Sequence, residues 1–177
     1  MTALDADFVR SQFPAFAEAS LQGHAFFENA GGSYTCGQVI DRLNRFYTQR
    51  KVQPYGNYAA SQLGGAEMDE ARSRLAAMLN VESDELHFGP STSQNTYVLA
   101  HAFAETLSPG DVVIVTDQDH EANSGAWRRL EARGMQIREW HINRETGQLE
   151  TETLAGLLDE SVKLVCFPHC SNIICLL

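Results

Sequence analysis

The chain has 177 residues, enough for one domain with a real core, and its 44% hydrophobic, 20% charged composition is that of a folded globular protein rather than a disordered one. Thirteen Lys plus Arg against twenty-three Asp plus Glu give a net charge of -10 with the basic residues dispersed, which argues against a nucleic-acid partner. Only Arg128, Arg129 and Arg133 gather, and they read as a solvated helix face.

Taken in chain order, the start MTALDADFVRSQF has no basic stretch followed by an apolar one, and nowhere do 18 apolar residues run together. Neither a signal peptide nor a membrane span is expected, and a cytoplasmic location is the default. Cys36, Cys166, Cys170 and Cys175 therefore read as free thiols. Asp5 is placed to cap a short opening helix that stops at Phe13-Pro14, because the residue before a proline is pushed out of helical geometry. HAFFENAGGS ends in Gly31-Gly32, a pair suited to a turn or to close backbone approach. Val39, Ile40, Leu43, Phe46 and Tyr47 recur at helical spacing and predict a helix from Gln38 to Tyr47. QPYGNYAASQLGG reads as a loop, and Glu67 to Leu79 as a helix that Asn80 can end.

Beyond this point short apolar runs alternate with helical segments. Leu86 to Gly89, Val112 to Thr116, Ile137 to Ile142 and Leu164 to Phe167 read as strands. Thr92 to Leu107, Glu121 to Arg133 and Thr151 to Leu158 read as helices. The alternation predicts an α/β fold with a mostly parallel sheet and flanking helices. Residues 1–60 are expected to form a helical N-terminal segment and residues 61–177 the α/β domain.

In such sheets ligands bind at the carboxyl ends of the strands, and three polar segments are expected there. In GPSTSQNT, residues 89–96, Ser91, Thr92 or Ser93 can cap a helix whose free amides suit a phosphate, although hydroxyl caps also occur on ordinary helices. DQDHEANSGAW, residues 117–127, holds Asp117, Asp119, His120 and Glu121; these types bind metals, yet adjacent positions rarely point at one centre, and a solvent-facing loop histidine is the plain alternative. In FPHCSN, residues 167–172, Asn172 can donate to a ligand oxygen and His169 or Cys170 can line a pocket, or the segment is simply a turn with a buried thiol. A phosphate cradle, an imidazole and an asparagine at one sheet edge describe a phosphorylated aromatic cofactor better than a bare metal.

These segments resemble the class V aminotransferase family of fold-type I pyridoxal-phosphate enzymes, particularly its cysteine desulfurase-like branch. FFENAGGS is similar to the substrate-side segment, GPSTSQNT to the phosphate-binding turn, DQDHEANSGAW to the segment carrying the ring-stacking histidine, and FPHCSNIIC to the His-x-Ser-Asn segment. The resemblance implies a pyridoxal 5'-phosphate (PLP) cofactor, an amino-acid substrate and a homodimer. Thr92 and Ser93 would hold the phosphate. His120 would stack on the pyridine ring and assist proton transfer, Asn172 would bond the phenolic oxygen, and Ala30 and Gly31 would border the substrate. In the family, an aspartate paired with the pyridine nitrogen and the Schiff-base lysine follow the Ser-Asn segment. This chain ends five residues after Asn172, and its lysines, Lys51 and Lys163, match neither position. The expectation is the N-terminal part of such an enzyme, truncated and inactive by itself; the alternatives are a noncatalytic scaffold or binding module and, more remotely, a metal-dependent hydrolase using Asp117, Asp119 and His120.

Overall fold

The computed structural model describes residues 4–174 of the 177, so Cys175, one of the four expected free thiols, lies outside the described residues. The chain divides into two compact units, Met1–His87 and Phe88–Leu177.

The first unit is helical. The Asp5 carboxylate accepts the Phe8 amide at 2.9 Å and opens α1 (Ala6–Ser11), and Phe13 is already extended before the tight 3-10 turn Pro14–Ala17. Helix α2 (Gly37–Arg45) runs on into a π-helical turn, Phe46–Arg50, so the expected helix is present with a wider final turn. Helix α3 (Ala59–Leu79) stops at Asn80, which takes the left-handed conformation at φ 56°. Its Glu67 carboxylate meets Arg45 at 2.9 Å, Arg50 at 3.4 Å and Arg42 at 3.8 Å, which ties α2 and its final turn to α3. The Arg45 hydrogen bond, with the neighbouring charges, holds that carboxyl below the ordinary glutamate range.

One sequence expectation fails here. Residues 59–65, expected as loop, are the first turns of α3. The cause is packing: the ring of Tyr55 lies on Gly65, where an added Cβ would stand 2.6 Å from a ring carbon, and the Tyr55 hydroxyl reaches Asp69 at 2.8 Å. Buried Ser61 donates to the Gln53 carbonyl at 2.5 Å and accepts the Gly56 amide at 2.6 Å. Gly65 thus admits a strap of preceding chain, and the helix-weakening preference of glycine is outweighed by what the missing side chain lets in.

The second unit is built on a three-stranded parallel sheet of order β2-β1-β3, with β1 Val112–Thr116, β2 Gln136–Trp140 and β3 Val162–Val165. The all-apolar run VVIV lies at the centre because β1 is covered on both faces, as central strands of parallel sheets are. With side chains alternating, Val113 and Val115 face Ala100, Ala104, Ala126, Trp127 and Leu130 of the helical layer made by α4 (Thr92–Ala104), α5 (Glu121–Arg128) and the 3-10 segment Arg129–Arg133. Val112 and Ile114 face Trp140 and, on the other side of the sheet, Leu154 and Leu157 of α6 (Thr151–Leu157). Each buried aliphatic side chain contributes about 2 kcal/mol.

The expected parallel α/β architecture is therefore present, with two corrections. The helix expected from Glu121 to Arg133 tightens after Arg128 into 3-10 geometry. Leu86 to Gly89 is not a strand: Leu86 has extended angles (φ -108°, ψ 120°), but among the described residues no neighbour forms a ladder with it, and extended backbone becomes a strand only when paired.

Candidate functional site

The carboxyl end of β1 organises the site. Strand pairing stops after Thr116, whose buried hydroxyl accepts the Gln118 amide at 3.1 Å. Asp117 turns toward the end of β2, accepting the Ile142 amide at 2.9 Å and meeting His141 Nδ1 at 2.8 Å. Burial pushes the Asp117 carboxyl up, but His141 and the Ile142 amide outweigh it and leave it below the ordinary range. Asp119 accepts the His120 amide at 2.7 Å and the Asn123 side-chain amide at 2.5 Å.

His120 is the N-cap of α5. Its Nδ1 accepts the Ala122 amide at 2.9 Å and its carbonyl accepts the amides of Asn123 and Ser124. A ring nitrogen that accepts a backbone N–H carries no proton, so the neutral ring has its proton on Nε2, and the cap bond fixes the plane of an otherwise exposed ring. The Asp117, Asp119 and His120 side chains are thus each committed to separate partners rather than to one centre. Among the described residues no three His, Cys, Asp or Glu side chains gather as a metal site.

Ser91 caps α4, its hydroxyl accepting the Gln94 amide at 3.2 Å while its carbonyl takes the Asn95 amide. Thr92 and Ser93, the first two residues of this helix, are exposed, and their hydroxyls and amides have no acceptor or donor among the described residues. Gly89 lies under the Asn95 side-chain amide, with which a Cβ would collide. The end of the helix is therefore open, with unpaired donors and the positive end of its dipole presented together.

Hydrogen bonds join the three polar segments. The Thr96 hydroxyl of α4, which donates to the Thr92 carbonyl at 2.9 Å, lies 3.4 Å from Asn123 Oδ1 at the start of α5. On the other flank, the Ser171 hydroxyl, beyond β3, donates to the Gln118 carbonyl at 2.8 Å. Asn172, next to Ser171, is exposed, as are His169 and Cys170. The thiol of this turn, Cys170, is thus not buried; Cys166, just before the turn, is half-buried, and burial, with the charge of Asp119, pushes it up to about 12. Ala30 and Gly31 belong to the first unit, where they form an exposed turn; Gly31 is not in the positive-φ region. A cleft of about 730 Å³ opens beside the same loops, walled by Gln118, Trp140, Phe167 and His169 among others, but not by Thr92, Ser93, His120 or Asn172.

Three contributors carry no signal in the sequence. Ser171 stands there only as part of the FPHCSN motif, and Thr116 only as the end of a strand. Arg128, expected on a solvated face, instead forks onto Glu139 of β2 at 2.9 and 3.0 Å and reaches Ser124 at 2.6 Å and the Thr116 carbonyl at 3.3 Å. Its neighbours are engaged as well, Arg129 over the Tyr97 ring and Arg133 on Glu105. Helical periodicity places an arginine on a face; it carries no sign of the strand underneath.

The aminotransferase class-V family model matches residues 25–175, and the chain belongs to this family. It is 33% identical over 171 residues to a cysteine desulfurase of Serratia proteamaculans (strain 568), an alignment covering 94% of this chain and 42% of the relative. It is 34% identical over 172 residues to the aminotransferase-like protein FGM3 of Gibberella zeae, covering 94% and 41%. Its fold is similar to the apo structure of a cysteine desulfurase from Thermococcus onnurineus NA1, with a TM-score of 0.79 at 21% identity over 93% of this chain and 40% of that one. A solved C-DES mutant with glycine covalently linked to its PLP cofactor is similar at a TM-score of 0.71 and 19% identity, covering 88% and 39%. The chain spans about two fifths of the length of these relatives.

Proposed function

We propose that this chain supplies the cofactor-holding side of a PLP-dependent, cysteine desulfurase-like enzyme that acts on an amino acid. The observation that carries the reading is the convergence of an open helix end, a fixed imidazole and the Ser171–Asn172 turn on one hydrogen-bonded set of loops. The donor set suits the group: a dianionic phosphate needs unpaired N–H and hydroxyl donors, which Thr92 and Ser93 offer at the end of a 13-residue helix. His120, held through Nδ1, offers the ring a flat face and leaves Nε2 free to give a proton to a nearby acceptor. Asn172 donates to the phenolic oxygen.

Bound there, the conjugated pyridine ring supplies an electron sink for charge developing at the substrate Cα. The protein's own part is positional: the hydroxyls and amides at α4 hold the phosphate, the imidazole restrains the ring, and the loops beyond β1 and β3 set their spacing. Cysteine is the first substrate to test, given the names of the relatives. A homodimer in the cytoplasm is the expected setting of the whole protein.

A noncatalytic scaffold is the second reading, and it is favoured by the lysines. Lys163 stands in β3 at the amino side of the sheet, where its ammonium donates to the Glu160 carbonyl at 2.8 Å, away from the loops beyond the strands. Lys51 belongs to the first unit, beside the Tyr47 ring. The 177-residue protein should therefore hold PLP without a covalent bond and turn over no amino acid. Fluorescence titration with PLP should give saturable binding, weakened about tenfold or more for pyridoxal lacking the phosphate and for the Thr92→Ala, Ser93→Ala double variant. Equal binding of PLP and pyridoxal would overturn the phosphate assignment. Borohydride treatment should leave no pyridoxyl-lysine on mass spectrometry; an adduct on Lys51 or Lys163 would overturn noncovalent binding.

A further inference from the structure

We propose that the buried hydroxyl of Ser171 is the positioning group that locks the Asn172 turn to the loop presenting His120. Ser171 is only 1% exposed, and its one donor and two acceptor sites are all in use. It donates to the Gln118 carbonyl at 2.8 Å and accepts the amides of Ile173 at 3.2 Å and Ile174 at 3.4 Å. The first bond spans 53 positions of sequence and crosses from the segment beyond β3 to the segment beyond β1. The other two fold the chain around Asn172, whose neighbours on both sides are thereby held.

The far end of the bond is equally constrained. Gln118 is 6% exposed, its amide bonds the Thr116 hydroxyl at 3.1 Å, and its side chain donates to the Gly147 carbonyl at 3.2 Å. Two residues later the His120 ring is pinned by the Ala122 amide. One hydroxyl therefore couples the placement of an asparagine and an imidazole that no backbone ladder joins. Removing it leaves the carbonyl of buried Gln118 and the amides of Ile173 and Ile174 without this partner. Ser171 touches no ligand in this role, which rests on the PLP reading for its function but not for its geometry.

The test uses the 177-residue chain with Ser171→Ala and Ser171→Cys, the second keeping the volume but replacing a strong donor by a weak one. In both variants the amides of Ala122, Asn123 and Ser124 should exchange with deuterium about tenfold faster, while those of Val113 and Ile114 in β1 stay unchanged. Unchanged exchange at Ala122, or a Cys variant identical to wild type, overturns the proposal. Should neither variant fold, the wild-type protein decides: protected amides at Ile173 and Ile174 support the lock, and free-chain rates there overturn it. PLP titration is the second arm. Wild type binding PLP with both variants weakened about tenfold ties the lock to the cofactor; equal affinities overturn that tie. A wild type that binds no PLP sinks the cofactor reading alone, since the exchange rates still decide the lock.

Discussion

Asp159 accepts the hydroxyl and amide of Ser161 and pairs with Arg138 at 2.7 Å, and these contacts, the Ser161 hydroxyl first, lower its carboxyl from the ordinary 3.8 to about 2. Because the folded value lies below the unfolded one, the stabilisation is complete above pH about 4 and is lost as pH falls from about 4 to about 2. Urea midpoints of wild type and Asp159→Asn should differ at pH 7, with the difference shrinking below pH about 4 and vanishing only near pH 2. Cys166 moves the opposite way: burial keeps its thiol protonated up to about 12, so iodoacetamide at pH 8 should label exposed Cys170 and spare Cys166 until denaturant is added, as read by peptide mass spectrometry. Arg128 joins α5 to β1 and β2 through a charged fork whose partners are each about a third exposed. Arg128→Met, which keeps the stem, should cost about 1–2 kcal/mol by urea unfolding, less than for a fully buried pair because water screens part of the charge.

At the level of elements, the two adjacent glycines of α3 separate propensity from packing. Gly64 faces nothing closer than the Arg50 carbonyl, 3.7 Å from an added Cβ, whereas Gly65 lies under the Tyr55 ring. Gly64→Ala should therefore raise the melting temperature, by up to about 1 kcal/mol of helix propensity, and Gly65→Ala should lower it despite the same propensity gain. A rise in both variants would show that the Tyr55 strap contributes little. The same contrast explains why QPYGNYAASQLGG reads as loop: composition records the glycines, and only the ring placed on one of them shows that helix continues through it. Asn80, by comparison, was legible, because a helix stop of this kind is a property of the residue itself. Leu86 to Gly89 lies between these cases, extended at Leu86 but unpaired among the described residues.

For the whole molecule, the three-stranded sheet leaves β2 and β3 each with one side unpaired by another described strand, and α4 presents Val98, Leu99 and Phe103 at 63%, 50% and 38% exposure. Unpaired strand edges and exposed apolar surface favour association. Sedimentation velocity of the 177-residue protein should show mass rising with concentration; a single monomeric species at all concentrations would contradict this. No helix among the described residues is long and apolar enough to cross a membrane. Local periodicity and turn chemistry sufficed for the alternation that marks the parallel α/β class, the Asp5 cap, a hydroxyl cap among Ser91, Thr92 and Ser93, and the central strand VVIV, because each depends on residues within a few positions of one another; the grouping of GPSTSQNT, DQDHEANSGAW and FPHCSN at one edge followed from that class, since parallel strands put their carboxyl ends on one side. The Arg128 fork, the Gly65 strap and the Ser171 bond to Gln118 join residues 10 to 53 positions apart. Such partners meet only once the chain has folded, so no spacing in the sequence announces them.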